Sequence, residues 1–190
     1  VIAGREEARL VYLGVANGLA AGDERRLVVD IGGGSTELIV GEGFTPRLRE
    51  SLHMGCVSMS RMQFPEEQIS AKLMNRAELA GALEIRPVRE LFRSSGWRTA
   101  VGSSGTIKAI ASVVESQGWS TNGISALSLD KLRDTLIGFR KSSAIDLKGL
   151  SDERKPVFAG GVAVLRSVFS TLGVKHMQVS DEALRDARLK

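Results

Sequence analysis

The run Asp30-Ile31-Gly32-Gly33-Gly34-Ser35-Thr36-Glu37 sets a carboxylate, three consecutive glycines, two hydroxyls and a second carboxylate in unbroken order. That order suits a bound phosphate. Glycines permit φ > 0 and let backbone N–H groups come close to an anion, and Ser35 and Thr36 add hydroxyl donors. Asp30, at the end of the apolar stretch Leu27-Val28-Val29, can hold a hydrated Mg2+ against the same phosphates. Residues 36–40 alternate with period two and read as a returning strand, which puts Glu37 on the face of Ser35 and aims a second carboxylate at the same place. A plain Gly-rich hairpin turn is the alternative reading, and the flanking Asp and Glu favour phosphate. A dinucleotide fingerprint would open a helix, whereas this run opens a strand. A Walker loop would need a Gly-Lys-Ser/Thr ending, which is absent.

A second glycine-bearing run, Gly102-Ser103-Ser104-Gly105-Thr106, lies between a short apolar strand at 99–101 and a helix expected over 106–115. There the N–H groups of a helix N-terminus face the ligand. The chemistry that the Asp30-to-Glu37 hairpin suggests is in-line attack of water on a terminal phosphoryl group. It requires donors on the phosphate oxygens, a metal, and a carboxylate that orients water. For the last, the chain offers the adjacent Glu6 and Glu7 at the start of a helix expected over 6–18, where acidic residues are also ordinary partners of the helix dipole. No Ser-His-Asp pattern or histidine nucleophile competes, which argues against a covalent phosphoenzyme.

The elements that must carry these groups follow from periodicity. Strands are expected at 27–30, 36–40 and 47–53, joined as a meander by the glycine hairpin and by Gly41-Glu42-Gly43. Residues 70–92 have helical composition, with a kink or break at Pro87, which removes a hydrogen bond and clashes with the carbonyl of Leu83. Ser128 is the expected N-cap of a helix over 130–140. A further helix begins at Ser151 or Asp152, tolerates Pro156 in its first turn, and turns Phe158, Val162, Leu165, Phe169 and Leu172 to the core. Gly160-Gly161 inside it costs about 1 kcal/mol per residue relative to Ala, which calls for close packing against the phosphate hairpin or another lobe. Residues 177–179 form a last strand before a terminal helix.

The 190 residues are 43% hydrophobic and 25% charged, the composition of one globular domain. A net charge of +4 suits a polyanionic ligand, and Arg93, Arg98, Arg133, Arg140, Lys141, Lys148, Arg154 and Lys155 could form a basic track or simply solvate helix faces. With 5% aromatics and no patterned aromatic and basic face, no nucleic acid partner is expected. No apolar run approaches the ~20 residues of a membrane span, and Val1-Ile2-Ala3-Gly4 followed by charges does not read as a signal peptide. The expected setting is therefore cytoplasmic, with no membrane partner. One cysteine, Cys56, and two histidines, His53 and His176, cannot build a zinc site, and Cys56 reads as a small buried hydrophobe.

Taken together, these runs resemble the exopolyphosphatase and guanosine pentaphosphate phosphohydrolase family, within the actin, sugar kinase and heat-shock chaperone ATPase superfamily. The resemblance rests on six blocks in the family's order. These are residues 4–15, residues 27–37, Met54-Gly55-Cys56-Val57, residues 102–109, Glu153-Arg154-Lys155 with Gly160-Gly161, and residues 180–185. It implies an α/β fold, a ribonuclease H-like (actin-like ATPase) lobe in which an antiparallel meander is extended by parallel strands with flanking helices. It also implies hydrolysis of the terminal phosphoanhydride bonds of polyphosphate or guanosine pentaphosphate with Mg2+.

In that resemblance Glu7 corresponds to the water-orienting base and Glu6 is a dipole partner facing solvent. Asp30 and Glu37 hold the metal. Gly32, Gly33, Gly34, Ser35 and Thr36 bind phosphate, and Gly102, Ser103, Ser104, Gly105 and Thr106 hold a nucleoside or distal phosphates. The family's first lobe opens with an Asp-x-Gly-Ser-Asn-Ser hairpin that is not found here, so residues 1–22 read as the segment linking two lobes and 23–190 as the second lobe. The first lobe is thus an expected partner in cis, and relatives commonly pair as homodimers. Ala3 stands where the family usually has Ser, and Asp186-Ala187 where it has an acid and Gly. A superfamily kinase and a nucleotide-binding actin-like scaffold remain alternatives.

Overall fold

The computed structural model describes residues 4–18 and 24–180. The chain begins with α1 (Gly4–Gly18), whose apolar residues fall on one stripe. Ala8, Val11, Tyr12, Val15 and Ala16 are buried there against Val28, Ile39 and Val101. The meander follows as β1 (Arg25–Ile31), β2 (Thr36–Glu42) and β3 (Thr45–Leu52), each a little longer than its alternation suggests. Next come α2 (Cys56–Gln63) and a 3₁₀ turn at Pro65–Glu67.

The helical stretch expected over 70–92 is two helices, α3 (Ala71–Ile85) and α4 (Arg89–Ser94), divided at Pro87 as its missing N–H requires. β4 (Thr99–Gly102) leads into α5 (Gly105–Ser116), and a two-residue β5 (Ile124–Ser125) into α6 (Ala126–Phe139). α7 (Lys155–Leu172) and β6 (His176–Val179) complete the described chain. The expected terminal helix and the Asp186-Ala187 departure lie outside the described residues.

The strand order is β3-β2-β1-β4-β6-β5. β1, β4 and β6 are parallel neighbours, while the other pairs are antiparallel. Strand alternation gives the sheet two unlike faces. Val28, Ile39 and Val101 lie under α1, whereas Leu27, Val29, Leu38 and Val40 join the larger core with α2, α3, α5, α6 and α7. α7 is the centre of that layer. Its expected stripe is buried, but so are Ala159, Val164 and Val168, so the helix is enclosed almost all round.

Two local expectations change. Ser125, not Ser128, is the N-cap of α6: its hydroxyl accepts the Ser128 N–H at 3.1 Å, while the Ser128 hydroxyl accepts the Ser125 N–H at 3.0 Å. This is a capping box, and it starts the helix four residues before the expected start. Gly160 and Gly161 do mark close packing, but their partners are α2 and α5 rather than the glycine hairpin. A Cβ on Gly160 would stand 2.6 Å from the Cys56 carbonyl oxygen, and one on Gly161 2.5 Å from the Thr106 Cγ2.

Candidate active site

The β1–β2 ladder closes at the Ile31 and Thr36 pair and leaves Gly32 to Ser35 as the loop. Gly32 N–H donates to the Ser35 carbonyl at 2.9 Å. The loop's carbonyls turn inward onto α2: that of Gly32 accepts from Cys56 N–H at 2.9 Å, and that of Gly33 from Val57 and Ser58 at 2.9 and 3.0 Å. The orphan donors that open α2 are consumed in this way, so α2 anchors the loop and does not itself receive an anion. Gly33 and Gly34 are exposed, and their N–H groups have no acceptor among the described residues.

Left-handed backbone is not what the glycines supply, for none of Gly32, Gly33 and Gly34 has positive φ. A Cβ on Gly33 would meet only Val57 at an ordinary 3.5 Å, and one on Gly34 would meet nothing within 4 Å. Bare backbone open to close approach is what remains. Thr36 differs from expectation. It is fully buried and its hydroxyl donates to the Met54 carbonyl at 2.6 Å, so it fastens the hairpin to the turn before α2 and does not face a ligand. Ser35 stays half-buried on the loop.

Asp30 and Glu37 are cross-strand partners. They lie two residues from Val28 and Ile39 respectively, hence on the α1 face. Glu37 is buried and accepts from the Ser51 hydroxyl at 2.9 Å. α1 crosses this face from the Gly43 end toward the middle of β2. Tyr12 bonds the Gly43 carbonyl at the end of β2 away from the hairpin, whereas Glu6 feels Arg49, the partner of Ile39 midway along. Glu6 is exposed and receives both Nε and Nη2 of Arg9, whose hydrogen bonds hold its carboxyl below the usual range. Glu7 follows Glu6 in α1, but its side chain lies outside the described residues.

Among the described residues no three His, Cys, Asp or Glu side chains cluster as a metal cage. Mg2+ does not need one, since it binds through one or two carboxylates, waters and substrate phosphates. Two opposed carboxylates next to a loop of bare glycine backbone fit that donor set.

The second glycine-bearing run is adjacent. Val29 of β1 is the register partner of Gly102 of β4, and Ser103 N–H donates to the Val29 carbonyl at 2.9 Å. Both loops therefore stand at the carboxyl ends of neighbouring parallel strands, the place where open α/β sheets bind ligands. Ser104 is the N-cap of α5, its hydroxyl accepting Ile107 N–H at 3.1 Å. Ser103, Ser104 and Thr106 are buried, and Gly105 alone of this loop is exposed.

Arg154 completes the loop. A Cβ on Gly105 would lie 3.2 Å from the Arg154 Cζ, which puts the guanidinium at the opening of α5. Among the described residues its side chain has no ion pair or hydrogen bond. A cation beside a helix N-terminus is repelled by the helix dipole, and an anion bound between them reverses that penalty. In the sequence Arg154 is only one member of a basic track.

Residues 1–189 match the Ppx/GppA phosphatase family. The chain belongs to that family. Its fold is similar to that of the Aquifex aeolicus Ppx/GppA phosphatase in its type II variant, with 25% identity and a TM-score of 0.82 over 100% of this chain and 63% of that one. A second Aquifex aeolicus Ppx/GppA structure gives 26% identity and a TM-score of 0.81 over 100% of this chain and 64% of that one. The fold also matches an exopolyphosphatase from Cytophaga hutchinsonii with a TM-score of 0.82 at 19% identity, over 98% of this chain and 62% of that chain. The chain thus spans less than two thirds of these relatives. The six-stranded sheet and its helices have the actin-like ATPase fold of these structures. Among the described residues no helix is long and apolar enough to cross a membrane.

Proposed function

We propose that this chain is the second lobe of a cytoplasmic enzyme that hydrolyses the terminal phosphoanhydride bond of inorganic polyphosphate or guanosine pentaphosphate. One observation carries this reading. The N–H groups of the exposed Gly33 and Gly34 and the α5 opening with its Arg154 lie at the carboxyl ends of paired strands, and the Asp30 and Glu37 pair stands next to the Ile31 and Thr36 pair that closes the hairpin. Two anion-accepting loops side by side match a substrate with phosphates in series, whereas a lone phosphate would need only one.

In this mechanism the Gly33 and Gly34 amides with Ser35 hold the terminal phosphoryl oxygens, where backbone donors need no reorganisation as charge shifts. Arg154 and the α5 N-terminus hold the following phosphates, the guanidinium as a planar bidentate donor. Asp30 and Glu37 would hold Mg2+, which when bound neutralises phosphate charge. Glu7 orients the attacking water and accepts its proton as the oxygen–phosphorus bond forms. The bond from that phosphorus to the bridging oxygen breaks, and the shortened chain leaves with the electron pair. Another lobe of the same protein would form the far wall of the cleft and exclude water, strengthening each of these interactions.

The test is phosphate release by the full-length protein from polyphosphate and from guanosine pentaphosphate with Mg2+. Release from either supports the reading. Nucleotide binding without release, or transfer to an acceptor other than water, would replace it with the scaffold or kinase alternative.

A further inference from the structure

We infer that Gly160 and Gly161 are positioning residues through which α7 sets the separation of the two phosphate-facing loops. The inference rests on the reading above, that both loops hold one phosphate chain.

α7 touches the anchor of each loop at adjacent positions. On one side, a Cβ on Gly160 would overlap the Ser60 hydroxyl and stand 2.6 Å from the Cys56 carbonyl oxygen and 2.7 Å from the Ser60 nitrogen. Two of these atoms are backbone, so no rotamer change relieves the contact. Cys56 opens α2, and its N–H holds the Gly32 carbonyl, so a displacement of α2 moves the hairpin with it. The joint is reinforced at Gly55, where a Cβ would stand 2.5 Å from the Gly33 carbonyl carbon and oxygen. On the other side, Gly161 meets the Thr106 Cγ2 in the first turn of α5, one residue from the exposed Gly105.

Each glycine costs a helix stability relative to Ala, a cost that the close approach of α2 and α5 must offset. The Ser60 hydroxyl is buried against Gly160 with no hydrogen-bond partner among the described residues, so the crossing is tight there. α7 also meets α3 through a glycine, Gly81, where a Cβ would overlap the Ser167 hydroxyl. That contact has the same tightness but touches neither Cys56 nor Thr106, and it reaches the Met54 side chain only at an ordinary 3.5 Å, so it separates packing in general from loop placement.

The experiment measures initial rates of phosphate release from tripolyphosphate by the full-length protein, with thermal melts of the same samples. Gly161→Ala should raise KM by about 10-fold or more, the scale on which small misplacements act. Gly81→Ala should lower the melting temperature with KM unchanged. Thr106→Ser keeps the hydroxyl but removes the methyl that the added Cβ would strike, so in the Gly161→Ala background it should bring KM to within about 2-fold of Thr106→Ser alone. Should Gly161→Ala not fold, the double variant against Thr106→Ser decides alone, and a KM about 10-fold higher in the double variant overturns the inference. Equal KM changes at Gly81 and Gly161, or none at Gly161, also overturn it. If the wild type releases no phosphate, the hydrolase reading fails separately. Calorimetric binding of tripolyphosphate to the same variants then tests the placement of the loops, and absence of binding by the wild type removes the inference as well.

Discussion

Asp30 and Glu37 face one another as cross-strand partners, one partly exposed at the loop's rim and the other buried against the Ser51 hydroxyl. Asp30→Asn should abolish Mg2+-dependent phosphate release in the full-length protein while leaving its circular-dichroism melt close to wild type. Retained turnover would remove Asp30 from the metal site.

Glu7→Gln should lower kcat by about 100-fold or more with KM nearly unchanged, because a residue that orients water and takes its proton acts mainly in the transition state. Steady-state kinetics with polyphosphate checks this. A collapse of affinity at constant kcat would make Glu7 a binding residue.

Arg154→Ala should weaken tripolyphosphate binding by about 10- to 100-fold, the range of a charge-assisted hydrogen bond. Its guanidinium has no partner among the described residues, so the melting temperature should hold or rise. Calorimetry and a melt test the two halves of this statement, and an unchanged binding constant contradicts it.

Two glycines of the loop region should respond oppositely to the same methyl. Gly34→Ala meets nothing within 4 Å and should keep wild-type stability while losing phosphate binding. Gly55→Ala would press on the Gly33 backbone and should cost about 2 kcal/mol or more in denaturant unfolding. Equal stability of the two variants would show that the hairpin and α2 are not in rigid contact.

Burial raises the Tyr12 phenol above its ordinary 10.0, and its hydroxyl donates to the Gly43 carbonyl at 3.0 Å. With the folded value above the unfolded one, the native state keeps its proton longer, so this stabilisation is complete below pH 10.0 and is lost as pH rises through the folded value. Tyr12→Phe should lose about 1 kcal/mol at neutral pH and flatten the alkaline limb of stability against pH. An unchanged alkaline limb would mean that another group titrates there.

Much of this arrangement is legible along the chain because it depends on near neighbours. The Asp30-to-Glu37 order, the alternation of the meander, the break at Pro87 and the strand-to-helix turn at Gly102 to Thr106 are each set by residues within a few positions of one another. α2 is not legible. Its buried residues are Cys56, Met59 and Ser60, too few and too polar to make a helical stripe.

What required tertiary structure joins residues far apart in sequence. Parallel pairing brought Val29 beside Gly102 and so set the two loops side by side. The Thr36 hydroxyl reads as a ligand donor until the chain returns at Met54 to accept it. Arg154 is one basic residue among many until α7 places it over Gly105. Local propensity and periodicity determine which elements form and where backbone is left bare. Which donors remain open to a ligand is decided by long-range packing, because a hydrogen-bonding group is open only when no other part of the folded chain has reached it.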